Sequence, residues 1–305
     1  MNWKLRPAYL ATAVAVLIAV VACGGTATPT PTSKGTMTIA GFKFSEGTVL
    51  MQLYGQALAH AGYTMTYKAN LGTREVVAPA IKTGQVDMYV GYAATDLEYY
   101  NGGAGEASGD VTATTSKLNS RLQPLGLQAG SPSGAQDQNG FAMTQANTAK
   151  YNATKLSDLA PIGNQLVLGA GPECPTRPFC QPGLQKTYGI NFKSFRPLDT
   201  DGPLTRAALK SNDIQVGLVF TSDADLQSLG LVVLQDDKHL QNADNVVPII
   251  RSAKASADVT RVLNAISAGL TTTDLINLNA AVQLNHQDAD VATRNYLQQK
   301  NYFGT

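Results

Sequence analysis

The chain has 305 residues, and its 23 Lys and Arg against 22 Asp and Glu leave a formal charge of +1, which excludes the basic footprint of a nucleic-acid binder. With 44% hydrophobic and 15% charged residues it has the composition of a folded body and not of a disordered one. About 270 residues follow the leader described next, enough for one large or two medium domains.

Lys4 and Arg6 form a positive start, and Ala8 to Val21 supply an apolar stretch of export-signal length, too short for a secure membrane span. Val20-Val21-Ala22-Cys23 resembles a bacterial lipobox, so residues 1–22 are expected to be a signal peptide and Cys23 the lipid attachment site. Residues 23–35 are rich in Pro, Thr and Gly and suit a semi-extended tether. The expected location is extracytoplasmic, anchored as a lipoprotein to the outer face of the cell membrane. Loss of Lys4 and Arg6 leaves 21 basic against 22 acidic residues, so nothing points to nucleic acid or anionic lipid.

In the body, Thr36 to Phe42 reads as a strand, and Gly47 to Ala61 carries apolar residues at helical spacing through Val49, Leu50, Leu53, Tyr54 and Leu58. Thr64 to Lys68 alternates as a strand, Arg74 to Thr83 reads as a helix, and Val86 to Tyr92 as a third strand. This βαβαβ opening predicts a mostly parallel sheet covered by helices. A turn at Tyr99 to Gly103 precedes a helix over Thr112 to Leu127.

A second unit follows the Gly- and Ser-rich stretch Gly130 to Gly140. Its predicted strands are Phe141 to Met143, Leu166 to Ala170, Val216 to Phe220 and Val232 to Leu234, with helices starting at Leu156 and over Leu184 to Tyr188 and Leu204 to Lys210. Val246 to Ile250 returns as a strand, and helices over Val259 to Leu270, Thr273 to Gln283 and Asp288 to Gln298 end the chain. Cys174 and Cys180 are the only cysteines beyond Cys23, and in an oxidising compartment such a pair is expected to form a disulfide. Together with the scattered His60, His239 and His286 they make no metal constellation.

Several segments then carry a resemblance: Gly41-Phe42-Lys43-Phe44-Ser45-Glu46, Asn70-Leu71-Gly72, Gly84 to Thr95, Lys155 to Leu159, Glu173 with Arg177, Gly183 to Gly189, Phe220 to Asp223, and Leu234 to Lys238 followed by Pro248. In this order and spacing they look like the glycine betaine, choline and related osmoprotectant binding proteins of ABC importers, from about residue 36 to the C-terminus. The resemblance implies an α/β, two-lobed periplasmic-binding-protein fold of type II, each lobe a mostly parallel sheet with flanking helices. Lobe 1 would be 36–140 plus 248–305 and lobe 2 would be 141–247, with the ligand in the cleft between them.

By the same resemblance Tyr92 falls on a tyrosine of an aromatic cage and Thr95 on a polar contact, Phe141 and Phe220 on positions commonly Tyr, and Arg177 on the arginine that meets a ligand carboxylate. Phe42 stands where a lysine is frequent, and Asp244 replaces a later cage tyrosine. A quaternary ammonium has no hydrogen to donate and is held by aromatic faces, whereas a carboxylate is best met by Arg. The implied function is capture of a glycine betaine, choline or carnitine type ligand for ABC permease subunits, by a monomer with no cofactor. Alternatives for the same fold are a different small ligand, or a lipoprotein sensor or adhesin uncoupled from transport. Catalysis is not expected, because the chain lacks a G-x-S-x-G elbow, a P-loop and any histidine in a motif. Thr221 and Asp223 read equally as a helix cap or as ligand contacts, and Asp236-Asp237-Lys238 as a surface turn.

Overall fold

The computed structural model of the protein describes Met1 and residues 33–303. The expected signal peptide, Cys23 and the tether as far as Thr32 lie outside the described residues.

The body opens with β1 (Thr36–Phe42), α1 (Ser45–His60), β2 (Thr64–Gly72), α2 (Arg74–Lys82) and β3 (Met88–Tyr92). The strands pair in parallel as β2-β1-β3, as the βαβαβ pattern predicts. β3 is buried at all five positions and reads apolar throughout, whereas β2, at the sheet edge, alternates in exposure along its first half. Val49, Leu50, Leu53, Tyr54 and Leu58 of α1 are fully buried against this sheet, which is what their helical spacing requires.

α3 (Ala93–Tyr100) follows β3 directly, where the sequence shows only the turn at its end. α4 (Val111–Leu122) is capped by Asp110, whose side chain accepts from the Thr112 and Ala113 amides. The helix expected to run to Leu127 stops at Leu122: Pro124 sits in a tight turn over Gln123–Leu125, Gly126 takes φ 69°, and Leu127–Ala129 becomes β4. Proline cannot continue the helical hydrogen bonds, and the left-handed glycine turns the chain out.

The second sheet contains β5 (Asn139–Thr144), β6 (Val167–Ala170), β7 (Ser194–Pro197), β8 (Val216–Phe220) and β9 (Leu231–Val233) in the order β7-β6-β8-β5-β9. β10 (Val246–Arg251) then returns to the first sheet, giving β2-β1-β3-β10-β4. The chain thus changes sheet between Ala129 and Asn139 and again between Val233 and Val246, slightly outside the expected 140/141 and 247/248. α8 (Ala257–Gly269), α9 (Thr272–Gln283) and α10 (Ala289–Gln299) pack back on the first lobe, close to their predicted spans.

The sheets are mixed and not mostly parallel, each having two parallel and two antiparallel pairings. The reason is the crossing. β1, β3, β6 and β8 run toward the cleft, whereas β5 and β10 begin at the cleft as the chain arrives from the other lobe, and so run away from it. The two crossing segments are joined by an Asp137 amide to Asp244 carbonyl bond of 3.1 Å and by Gln138 Nε2 donating to the Asn242 carbonyl at 2.7 Å.

Candidate functional site: an aromatic and acidic cavity between the lobes

The carboxyl ends of the parallel strands of both sheets face one another, and the loops leaving them line a cavity of about 660 Å³ including its open mouth. The first lobe contributes Phe42 and Phe44 after β1, Arg74 at the first position of α2, Tyr92 at the end of β3, and Thr95 in the first turn of α3. The second contributes Glu173 and Arg177 after β6, Thr200 after β7 and Phe220 at the end of β8. Asp137 and Asp244 come from the crossing segments. A crevice at strand carboxyl ends is where open α/β sheets bind ligands, because backbone ends and loop side chains converge there.

Four aromatic rings make one wall. Phe44 of the first lobe meets Phe220 of the second edge-on, with ring centroids 5.0 Å apart, and lies 5.6 Å from Phe42 and 6.4 Å from Tyr92. Phe44 is absent from the residues expected at the site, although it stands in the same βα turn as Phe42. Phe141, expected at the cleft, does not line the cavity: it is 1% exposed and packs in the core of the second lobe. β5 runs away from the cleft, so the wall at this edge is made by Asn139 at the strand's start and by Leu218, the register partner of Phe141.

The charges are arranged around this wall. Asp244 is buried and accepts from the amide and hydroxyl of Thr95 at 2.7 and 2.6 Å. Burial pushes its carboxyl up to about 6, against the opposing pull of the two Thr95 hydrogen bonds and Arg74. Asp137 is also buried, and desolvation together with the nearby charge of Glu46 raises it well above the usual carboxylate range. Glu46 sits beneath the aromatic wall, where it accepts from the Tyr92 hydroxyl, from Ser222 of the other lobe and from Asn279 of α9 at 2.6 Å. Desolvation outweighs these bonds and raises Glu46 too.

The two arginines have different duties. Arg177, expected at a ligand carboxylate, does line the cavity, but its guanidinium forks onto Glu75 of α2 with contacts of 2.9 to 3.1 Å, so it ties the lobes together at the cavity's edge. Burial works to raise Glu75, and Arg177 outweighs it, bringing that carboxyl to about 2. Arg74 is the buried cation. Its Nε donates to Asp96 at 2.7 Å and its guanidinium lies 5.2 Å from the Phe42 ring centroid, while its terminal nitrogens make no hydrogen bond among the described residues. Burial disfavours its charge, and Asp96 more than compensates.

Gly91 makes this pairing possible, because a Cβ there would lie 2.0 Å from Asp96 Oδ2. Sequence reading took Arg74 only as a helix start; the signal available was its place in the turn after β2, equivalent to that of Phe44 after β1. The pairing of Cys174 with Cys180 is present and holds the loop carrying Glu173 and Arg177.

The OpuAC family profile, the substrate binding domain of ABC-type glycine betaine transport system, matches residues 35–299. The chain belongs to this family. Among curated relatives, the glycine betaine-binding protein YehZ of Escherichia coli is 26% identical over 271 residues, covering 85% of this chain and 88% of that protein. The carnitine transport binding protein OpuCC of Listeria monocytogenes is 25% identical over 283 residues, with 89% of each chain covered. A solved glycine betaine/carnitine/choline ABC transporter structure superposes with TM-score 0.67 at 21% identity, over 88% of this chain and 99% of that one. Lactococcal OpuAC, closed on glycine betaine, does so with TM-score 0.64 at 16% identity, over 88% and 97%. The fold of this substrate-binding protein is therefore that of a type II periplasmic binding protein.

Proposed function

We propose that this family member captures a small quaternary amine of the glycine betaine, choline or carnitine kind in the interlobe cavity and presents it to an ABC permease, with no chemistry performed on it. The observation that carries the reading is the juxtaposition of four aromatic rings from both lobes with the buried carboxylates Asp244 and Asp137. Ring faces attract a methylated ammonium with about 0.5 to 2 kcal/mol each, and Asp244 supplies the countercharge. Arg74, which lines the cavity and whose terminal nitrogens make no hydrogen bond among the described residues, is the partner we assign to a ligand carboxylate, in place of Arg177.

The leader, the Cys23 lipid and the tether would hold the body outside the membrane beside its permease, acting as a monomer. Titration calorimetry against glycine betaine, choline, carnitine and proline betaine tests this. Micromolar binding of any one supports it, and silence from all four overturns it.

A further inference from the structure

We propose that Glu173 binds the ligand by accepting a hydrogen bond from it, so that the protein selects amines carrying a hydroxyl or N–H group over isosteres that lack one. This rests on reading the cavity as an amine site. Glu173 lines the cavity from the loop after β6, and its Oε1 accepts from Thr200 Oγ1 at 2.8 Å. Its Oε2 is buried and has no hydrogen-bond partner among the described residues. Among the described residues it is the one such buried, unpartnered side-chain atom that belongs to a residue of the cavity wall.

The placement is built. A Cβ at Gly171 would lie 2.2 Å from Thr200 Oγ1 and 2.4 Å from Glu173 Oε1, so the glycine leaves the space in which these two groups meet. The Cys174–Cys180 bridge begins at the next residue and anchors the turn. An acceptor held in this way, desolvated and half used, is costly unless a donor arrives.

No side chain of the cavity wall donates to Oε2 among the described residues. Arg177 is forked onto Glu75 and the Nε of Arg74 is bonded to Asp96, so neither fills Oε2. Asp244 differs from Glu173 on this point, because both its oxygens are bonded to Thr95, whereas Asp137 takes the Ser222 amide and the Thr221 hydroxyl on the single oxygen Oδ1. Asp244 acts on a ligand through charge, whereas Glu173 offers a directed acceptor. A quaternary nitrogen has no hydrogen, so the donor must be a second group of the ligand, an alcohol or an N–H.

The test compares choline with trimethylpropylammonium, which has a methyl group where choline has its hydroxyl, by calorimetry on the native protein and on Glu173→Leu and Glu173→Gln. The native protein should favour choline by at least about tenfold, the size of a hydrogen bond to a charged acceptor. In Glu173→Leu that preference should vanish, leaving only the loss that both cations share when the carboxylate's charge is removed. If Glu173→Leu no longer binds the isostere, its cavity is damaged, and Glu173→Gln decides instead by a preference reduced at least about threefold. A preference unchanged by substitution, or absent from a native protein that binds both compounds, overturns the assignment of Glu173 and leaves the amine reading standing. Failure of the native protein to bind either compound overturns both.

Discussion

Ionisation of Asp244 should make choline binding weaken about tenfold between pH 8 and pH 5, and Asp244→Asn should remove that part of the pH dependence. Asp244 lies buried in the cavity wall with its carboxyl raised to about 6 by desolvation. If the cation binds the ionised form, apparent affinity falls with the fraction ionised, which is near one at pH 8 and about one in eleven at pH 5. Choline does not titrate in this range. Asp137 and Glu46 are also raised by burial, but their titration is common to both proteins, so the difference between the two pH profiles isolates Asp244.

The same shift has a stability counterpart of the opposite sign to a salt-bridged aspartate. The folded carboxyl binds its proton more tightly than the unfolded one, so this contribution stabilises at low pH and is lost as pH rises through the window from 3.8 to about 6. The loss amounts to about 3 kcal/mol by neutral pH, at 1.36 kcal/mol per unit. Asp244→Asn should therefore raise the ligand-free melting temperature at pH 7 while reducing choline affinity. Calorimetric titration at four pH values with both proteins, and thermal melts at pH 5 and 7, give the comparison. Superimposable profiles, or tighter choline binding at pH 5, would refute the placement of Asp244 against the cation.

Arg74→Met should weaken glycine betaine and carnitine by about 1.5 to 3 kcal/mol more than choline, because only the former carry a carboxylate; equal losses in calorimetry would remove Arg74 from that role. Arg177→Ala and Glu75→Gln should each change affinity alike for all ligands, with a coupling of about 0.2 to 1 kcal/mol in the double mutant, as for a partly exposed ion pair. An Arg177→Ala effect confined to carboxylate ligands would restore Arg177 as their partner. Phe44→Ala should cost every quaternary ligand about 0.5 to 2 kcal/mol, and an unaffected affinity would show that Phe44 packs only on its neighbouring rings. Replacing Cys174 and Cys180 by Ser should lower unfolding free energy in denaturant by about 2 kcal/mol, from the short loop the bridge closes; an unchanged midpoint would exclude that contribution.

Local information in the sequence determined most of the elements, though it missed α3, β4 and β7 and carried α4 past its end. The period of apolar residues in α1, the apolar run of β3 and the spacing of Cys174 and Cys180 act over a few residues, so helix, strand and bridge are legible without knowledge of the rest. Phe42, Tyr92 and Phe220 end strands predicted from the same signals, and they line the cavity together with Thr95, which the resemblance alone put at the site. The fate of Phe141 did not, since strand alternation says which face a residue takes but not how far along the strand the cleft lies.

Tertiary structure decided the charge pairing. Arg177 meets Glu75 from 102 residues away, and Arg74, an ordinary helix start in the sequence, becomes the buried cation because Gly91 lets Asp96 reach it. The antiparallel halves of both sheets follow from two chain crossings that bring Asp137 and Asp244 to the same hinge. Such pairings depend on which lobe faces which, a property of the closed fold that no local pattern of residues encodes.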